Sequence, residues 1–126
     1  MKLCHIAAFC LLASFGCTHS TAPSGPALLL IEVEGDFRGE FVRVWVDGAL
    51  MREDTATTNW TIGLAWSKSV AGLTSGVHAV RATVRDFAVI DSASILVTDT
   101  TTVLIDYDRV ARLLKFTRFK GVILRD

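Results

Sequence analysis

Cysteine is confined to the start of this chain: Cys4, Cys10 and Cys17 are its only three, and Thr18 to Asp126 has none. That stretch can hold no disulfide framework, no thiolate nucleophile and no cysteine-based zinc site. Proline is equally restricted, to Pro23 and Pro26. Histidine is nearly absent, with only His78 beyond residue 19, so a two-histidine metal helix is excluded. No G-x-S-x-G elbow occurs, and Gly35 to Gly39 lacks the lysine and following helix of a phosphate loop. Charge of either sign is not in excess, 13 cations standing against 13 acids. Such a chain offers no global basic field for nucleic acid. No heptads, repeats or low-complexity tracts occur.

What is present divides at residue 17. Lys2 supplies a short positive start, and Ile6 to Phe15 is apolar apart from Ser14. This run falls short of the roughly 20 residues that span a bilayer, and suits the apolar core of a signal peptide. It ends in Ser14-Phe15-Gly16-Cys17. Gly16-Cys17 resembles the end of the bacterial lipoprotein signal, with Ser14 and Phe15 in place of the usual Leu and small residue. The resemblance implies cleavage before Cys17 and a diacylglycerol on its thiol. Several acyl chains make such an anchor stable, at roughly 0.8 kcal/mol per buried CH₂. Residue 18 is Thr rather than the Asp that in this family often retains a protein at the inner membrane. The expected location is therefore the cell envelope, at the outer membrane where there are two. The polar stretch Thr18 to Pro26, with both prolines, reads as a tether. Residues 1–16 are thus expected to be a signal peptide, 17–26 a lipidated cysteine and tether, and 27–126 a folded domain.

From Ala27 onward the pattern is all-β. Leu28 to Glu34 is rich in branched residues. In Phe41 to Val46, Val42, Val44 and Val46 share one face, with Phe41, Arg43 and Trp45 on the other. Asp47-Gly48 signals a hairpin, with Ala49 to Arg52 as a short returning strand and Glu53 to Asn59 as a loop. Trp60, Ile62, Leu64 and Trp66 recur at period two, and Ser67 to Gly76 reads as a loop. His78, Val80, Ala82 and Val84 alternate with Arg81, Thr83 and Arg85. Short apolar runs flank Asp91-Ser92, and Val103, Ile105 and Tyr107 share a face. Residues 107–126 carry both helical and strand spacings, of which strand fits the domain better. Seven or eight short antiparallel strands with frequent turns describe a β-sandwich. Trp45, Trp60 and Trp66 are expected to pack in the core or on sheet faces rather than form a carbohydrate platform.

VRVWVDG followed by LTSGVHAVRATV resembles bacterial surface modules of the immunoglobulin-like and PEGA kind. In those a strand ends in Asp-Gly and a later Gly-x-His opens an alternating strand. Val42, Val44, Val46, Asp47, Gly48, Leu73, Gly76, His78, Val80 and Ala82 carry the match. The resemblance implies an immunoglobulin-like β-sandwich serving as a spacer or binding domain.

The residues supply little for catalysis. His78, inside the Gly-x-His match, reads as a structural residue near a turn. Glu32, Glu34 and Asp36, the set Asp47, Glu53 and Asp54, and the pair Asp106 and Asp108 are carboxylates that calcium accepts. None fits the twelve-residue calcium loop, and solvated strand faces account for them. No metal or other cofactor is expected. The sharpest charge feature is Arg109, Arg112, Lys115, Arg118 and Lys120, without an intervening acid and interleaved with Phe116 and Phe119. It fits either protection of an edge strand or contact with an anionic surface, glycan or envelope protein. The expected function is a non-catalytic, membrane-anchored binding or structural module. Alternatives are a small envelope enzyme, an enzyme inhibitor, or a glycan binder using the basic segment.

Overall fold

The computed structural model describes residues 26–125. The expected signal segment, Cys17 and the tether up to Gly25 lie outside the described residues. The strands are β1 (Ala27–Gly35), β2 (Arg38–Val46), β3 (Ala49–Thr57), β4 (Leu64–Leu73), β5 (Gly76–Val84), β6 (Val89–Val97), β7 (Thr100–Asp108) and β8 (Leu113–Lys120). They form two four-stranded sheets, ordered β4-β1-β7-β8 and β3-β2-β5-β6. The domain is an all-β sandwich.

Alternation builds the core. Val42, Val44 and Val46 of β2 and Val80, Ala82 and Val84 of β5 are buried from one sheet. Leu29, Ile31 and Val33 of β1 and Val103, Ile105 and Tyr107 of β7 meet them from the other. Each such apolar side chain larger than alanine contributes about 1.5–3 kcal/mol relative to leaving it exposed.

One pairing departs from the antiparallel expectation. β1 and β7 run parallel, in register from Leu28 opposite Thr100 to Gly35 opposite Tyr107. Both strands start at the same end, where the Leu28 N–H donates to the Asp99 carbonyl at 2.6 Å. Gly35 is needed where they finish. Its φ is +110°, and a Cβ there would collide with the backbone of Tyr107 and the carboxylate of Asp106.

Strand boundaries also shift. β3 continues to Thr57 where a loop was expected after Arg52, and β4 occupies most of the expected 67–76 loop. β6 runs unbroken through Asp91-Ser92. Trp60 and Ile62 fall in a turn rather than a strand, because Asn59 gathers that segment: its carbonyl accepts the N–H groups of Ile62 and Gly63. The ambiguous C-terminal stretch is a turn followed by β8, a strand as favoured.

The strands define two poles, about 30 Å apart for nine residues. The near pole holds the chain entry at Ala27, the Asp47-Gly48 turn, the β4–β5 turn and Asp99. The far pole holds Asp36, the 58–63 turn and the β7–β8 turn.

Candidate functional site

The two halves of the VRVWVDG and GVHAVRATV pattern meet at the near pole. Asp47 and Gly48 both have positive φ, 50° and 82°, as a two-residue type I′ hairpin requires. Asp47 then aims its carboxylate at the start of β5. It accepts the Ala79 N–H at 2.9 Å and the His78 Nδ1–H at 2.5 Å. His78 Nε2–H donates to the Thr74 carbonyl at 2.7 Å. Both partners are acceptors, an arrangement that favours a proton on each ring nitrogen and so the cationic imidazole. The Asp47 hydrogen bond, then the Thr74 carbonyl, raise the His78 pKa above its ordinary value. His78 and then the Ala79 N–H hold Asp47 below the usual carboxylate range. His78 is buried and engaged at both nitrogens, leaving neither to take a proton from a substrate. The pair fastens the β2–β3 turn and the β4–β5 turn to the start of β5.

At the far pole lies an open cleft of about 430 Å³, lined among others by Glu34, Asp36, Trp60, Asp106, Asp108 and Arg109. The parallel β1–β7 register brings acids from two distant segments here, with Glu34 opposite Asp106. Most of the charge is matched internally. Arg125 contacts Glu32 and Glu34 at 2.8 and 3.0 Å, Arg38 contacts Asp36 at 3.1 Å, and Arg109 contacts the buried Glu40 at 2.5 Å. Asp108 accepts the Ala111 N–H within its own turn. Among the described residues no three His, Cys, Asp or Glu side chains converge into a metal-holding group. Trp60 stands at the rim, 71 % exposed.

The three tryptophans therefore do not share one role. Trp66 is buried core, as expected, with the Arg52 guanidinium over its ring. Trp45 is half-buried on the outer face of β2. Trp60 packs neither in the core nor on a sheet face, because its segment turns outward before β4 begins.

The basic segment is split by the pleat of β8, an edge strand. Arg118 lies opposite Val103 and Lys120 opposite Thr101, on the inward side; Lys115 lies opposite Asp106, on the outward side. Arg118 crosses to the other sheet, donating to the Leu96 carbonyl at 2.5 Å and the Thr98 hydroxyl at 3.2 Å. Arg109 is engaged with Glu40, and Arg112 is exposed in the β7–β8 turn. On the opposite seam, Arg52 of β3 donates to the Ser67 carbonyl of β4 at 2.7 Å. Each seam is thus bridged by an arginine that occupies a backbone acceptor on an edge strand, a place where further strands otherwise add.

The outer face of the β2–β5 sheet carries a feature only half visible in the sequence. Arg43 lies over the Phe41 ring at 4.9 Å and the Phe87 ring at 5.8 Å. Phe87 stacks on Trp45 with ring centres 6.4 Å apart, and Arg81 lies over Trp45 at 5.1 Å. Phe87 reaches this stack because Arg85, Asp86 and Phe87 are consecutive left-handed residues, at φ 56°, 51° and 74°. Without glycine, each such residue costs about 1–2 kcal/mol.

No protein-family model matches this chain, and neither a curated protein nor a solved structure matches it.

Proposed function

We propose that this protein is a lipid-anchored lipoprotein of the bacterial cell envelope, whose immunoglobulin-like sandwich of the PEGA kind is a non-catalytic binding or structural module. The observation that carries the reading is the Asp47–His78 contact. It joins the two halves of the pattern on which the resemblance rests, across 31 residues of sequence. It also uses the lone histidine of the domain as a fastener. The position of chain entry agrees. Ala27 opens β1 at the near pole, and the cleft with Trp60 lies at the other end of that strand. A lipid on Cys17 followed by a polar tether then leaves the far pole facing away from the membrane, at the outer membrane where the cell has two.

Intact-mass spectrometry of the membrane fraction tests the anchor. The expected mature chain starts at Cys17 and carries acyl chains, and Cys17→Ser leaves unacylated precursor. A mature form without acyl mass, or one starting elsewhere, rejects the anchor and leaves a secreted domain.

A further inference from the structure

The five-member stack on the outer face of the β2–β5 sheet orders Phe41, Arg43, Phe87, Trp45 and Arg81 so that each ring contacts a guanidinium. Its two arginines differ in what their N–H groups do. Arg43 is engaged in-plane, with Glu53 at 3.0 Å and Asp86 at 3.4 Å. Arg81 is exposed and stacked on Trp45, and no carboxylate or other acceptor among the described residues meets it. A guanidinium stacked on a ring keeps its face dry while its in-plane N–H fork stays open. That is the pre-organised geometry for a carboxylate.

Position and charge identify the occupant. Arg81 and Arg43 are diagonal neighbours across β5 and β2, a spacing of roughly 7–8 Å between their backbones. Arg85, also exposed, follows on the same chain segment, its N–H meeting the Phe41 carbonyl. Glu53 and Asp86 are both held by Arg43, so Arg81 and Arg85 stand as exposed arginines that no acid among the described residues meets. An open sheet face with cations at intervals along it suits an extended polyanion better than a small ligand. The half-exposed Phe87 and partly exposed Trp45 add apolar edges for sugar C–H groups. The rings are held against arginines rather than free to enter hydrocarbon, which disfavours a lipid surface.

We propose that this face binds an acidic polysaccharide bearing carboxylates, with Arg81 as the anion-recognising residue. The proposal deepens the reading of a surface binding module and rests on it for access to such a glycan. It moves anion recognition from the C-terminal basic segment to a different sheet.

The test is affinity electrophoresis of the full chain in neutral detergent, through native gels containing polygalacturonate or neutral dextran. Retardation is expected with polygalacturonate alone, declining with added salt by screening. Arg81→Gln should weaken it at least fivefold, Arg81→Lys less, and Arg112→Gln not at all, with thermal melts confirming that each variant is folded. No retardation, equal retardation in dextran, or full retardation of folded Arg81→Gln and Arg81→Lys overturns the proposal. So does Arg81-dependent binding to phosphatidylglycerol vesicles in place of polygalacturonate. The anchor is read separately by mass: loss of glycan binding leaves it standing, and an unacylated chain that binds polygalacturonate removes the anchor alone.

Discussion

His78 donates to Asp47 across 31 residues, and the contact favours the charged form of both partners. The stability of the domain should follow that charge. Unfolding returns His78 to its ordinary pKa of 6.5, below the raised native value. Its stabilisation is complete below pH 6.5 and is lost as pH rises through the native pKa. Asp47 has a native pKa below its ordinary 3.8. Its stabilisation is present above 3.8 and is lost as pH falls through the native value. The urea midpoint should therefore peak in the weakly acidic range and decline toward alkaline pH. His78→Gln should flatten the alkaline decline. An unchanged alkaline slope in that variant would refute the linkage.

Val44 is fully buried and Val110 is 92 % exposed. Val44→Ala removes methyl contacts in the inter-sheet core and leaves a cavity. It should cost roughly 1 to 3 kcal/mol in urea unfolding. Val110→Ala should stay within about 0.5 kcal/mol of the parent. Equal effects would mean that Val44 does not pack in the inter-sheet core.

Gly35 and Gly39 both have positive φ, but only Gly35 lies against another strand. Gly35→Ala combines an unfavourable backbone angle with a collision against β7, and should lose at least about 2 kcal/mol. Gly39→Ala meets open space and should lose about 1 kcal/mol from the backbone angle alone. Hydrogen exchange adds a local readout, since amides of the β1–β7 ladder should lose protection only in the Gly35 variant.

Arg125 holds the C-terminal stretch across the outer face of β1, between Glu32, Glu34 and the Ile62 carbonyl. Its side chain is 19 % exposed, and those of the two glutamates are 12 % and 21 % exposed. Arg125→Ala leaves two shielded carboxylates without their cation, and should cost about 1–2 kcal/mol, less than for a fully buried pair. In a double-mutant cycle with Glu32→Gln, the paired loss should be smaller than the sum of the single losses. Additive losses would show that the contact carries no coupling.

The central strands were legible because each buries one face. β2, β5 and β7 show clean period-two alternation in the sequence, and their valines other than Val77 lie in the core. β4 was not legible. It is an edge strand on which Lys68, opposite Ile31, falls on the inward side between Trp66 and Val70, breaking the apolar period. The β1–β7 pairing could not be read either, since a local pattern does not name its partner strand. Asp47 and His78 both stood in the quoted motif, but their contact exists only once β2 and β5 pair. On the outer face, Phe41, Arg43 and Trp45 were assigned to one side correctly. Phe87 was missed because the left-handed turn that delivers it contains no glycine to announce it.

The parallel placement of β1 also has a mechanical side. β1 is paired along its length with β4 on one flank and β7 on the other. A pull at Ala27 directed along the strand meets these hydrogen bonds side-on, so both ladders share the load at once. β8 is paired on one flank only, and a pull outward from its end opens bonds one after another. In single-molecule stretching, the domain should yield at higher force when held at Ala27 and the far pole than when β8 is peeled from its edge.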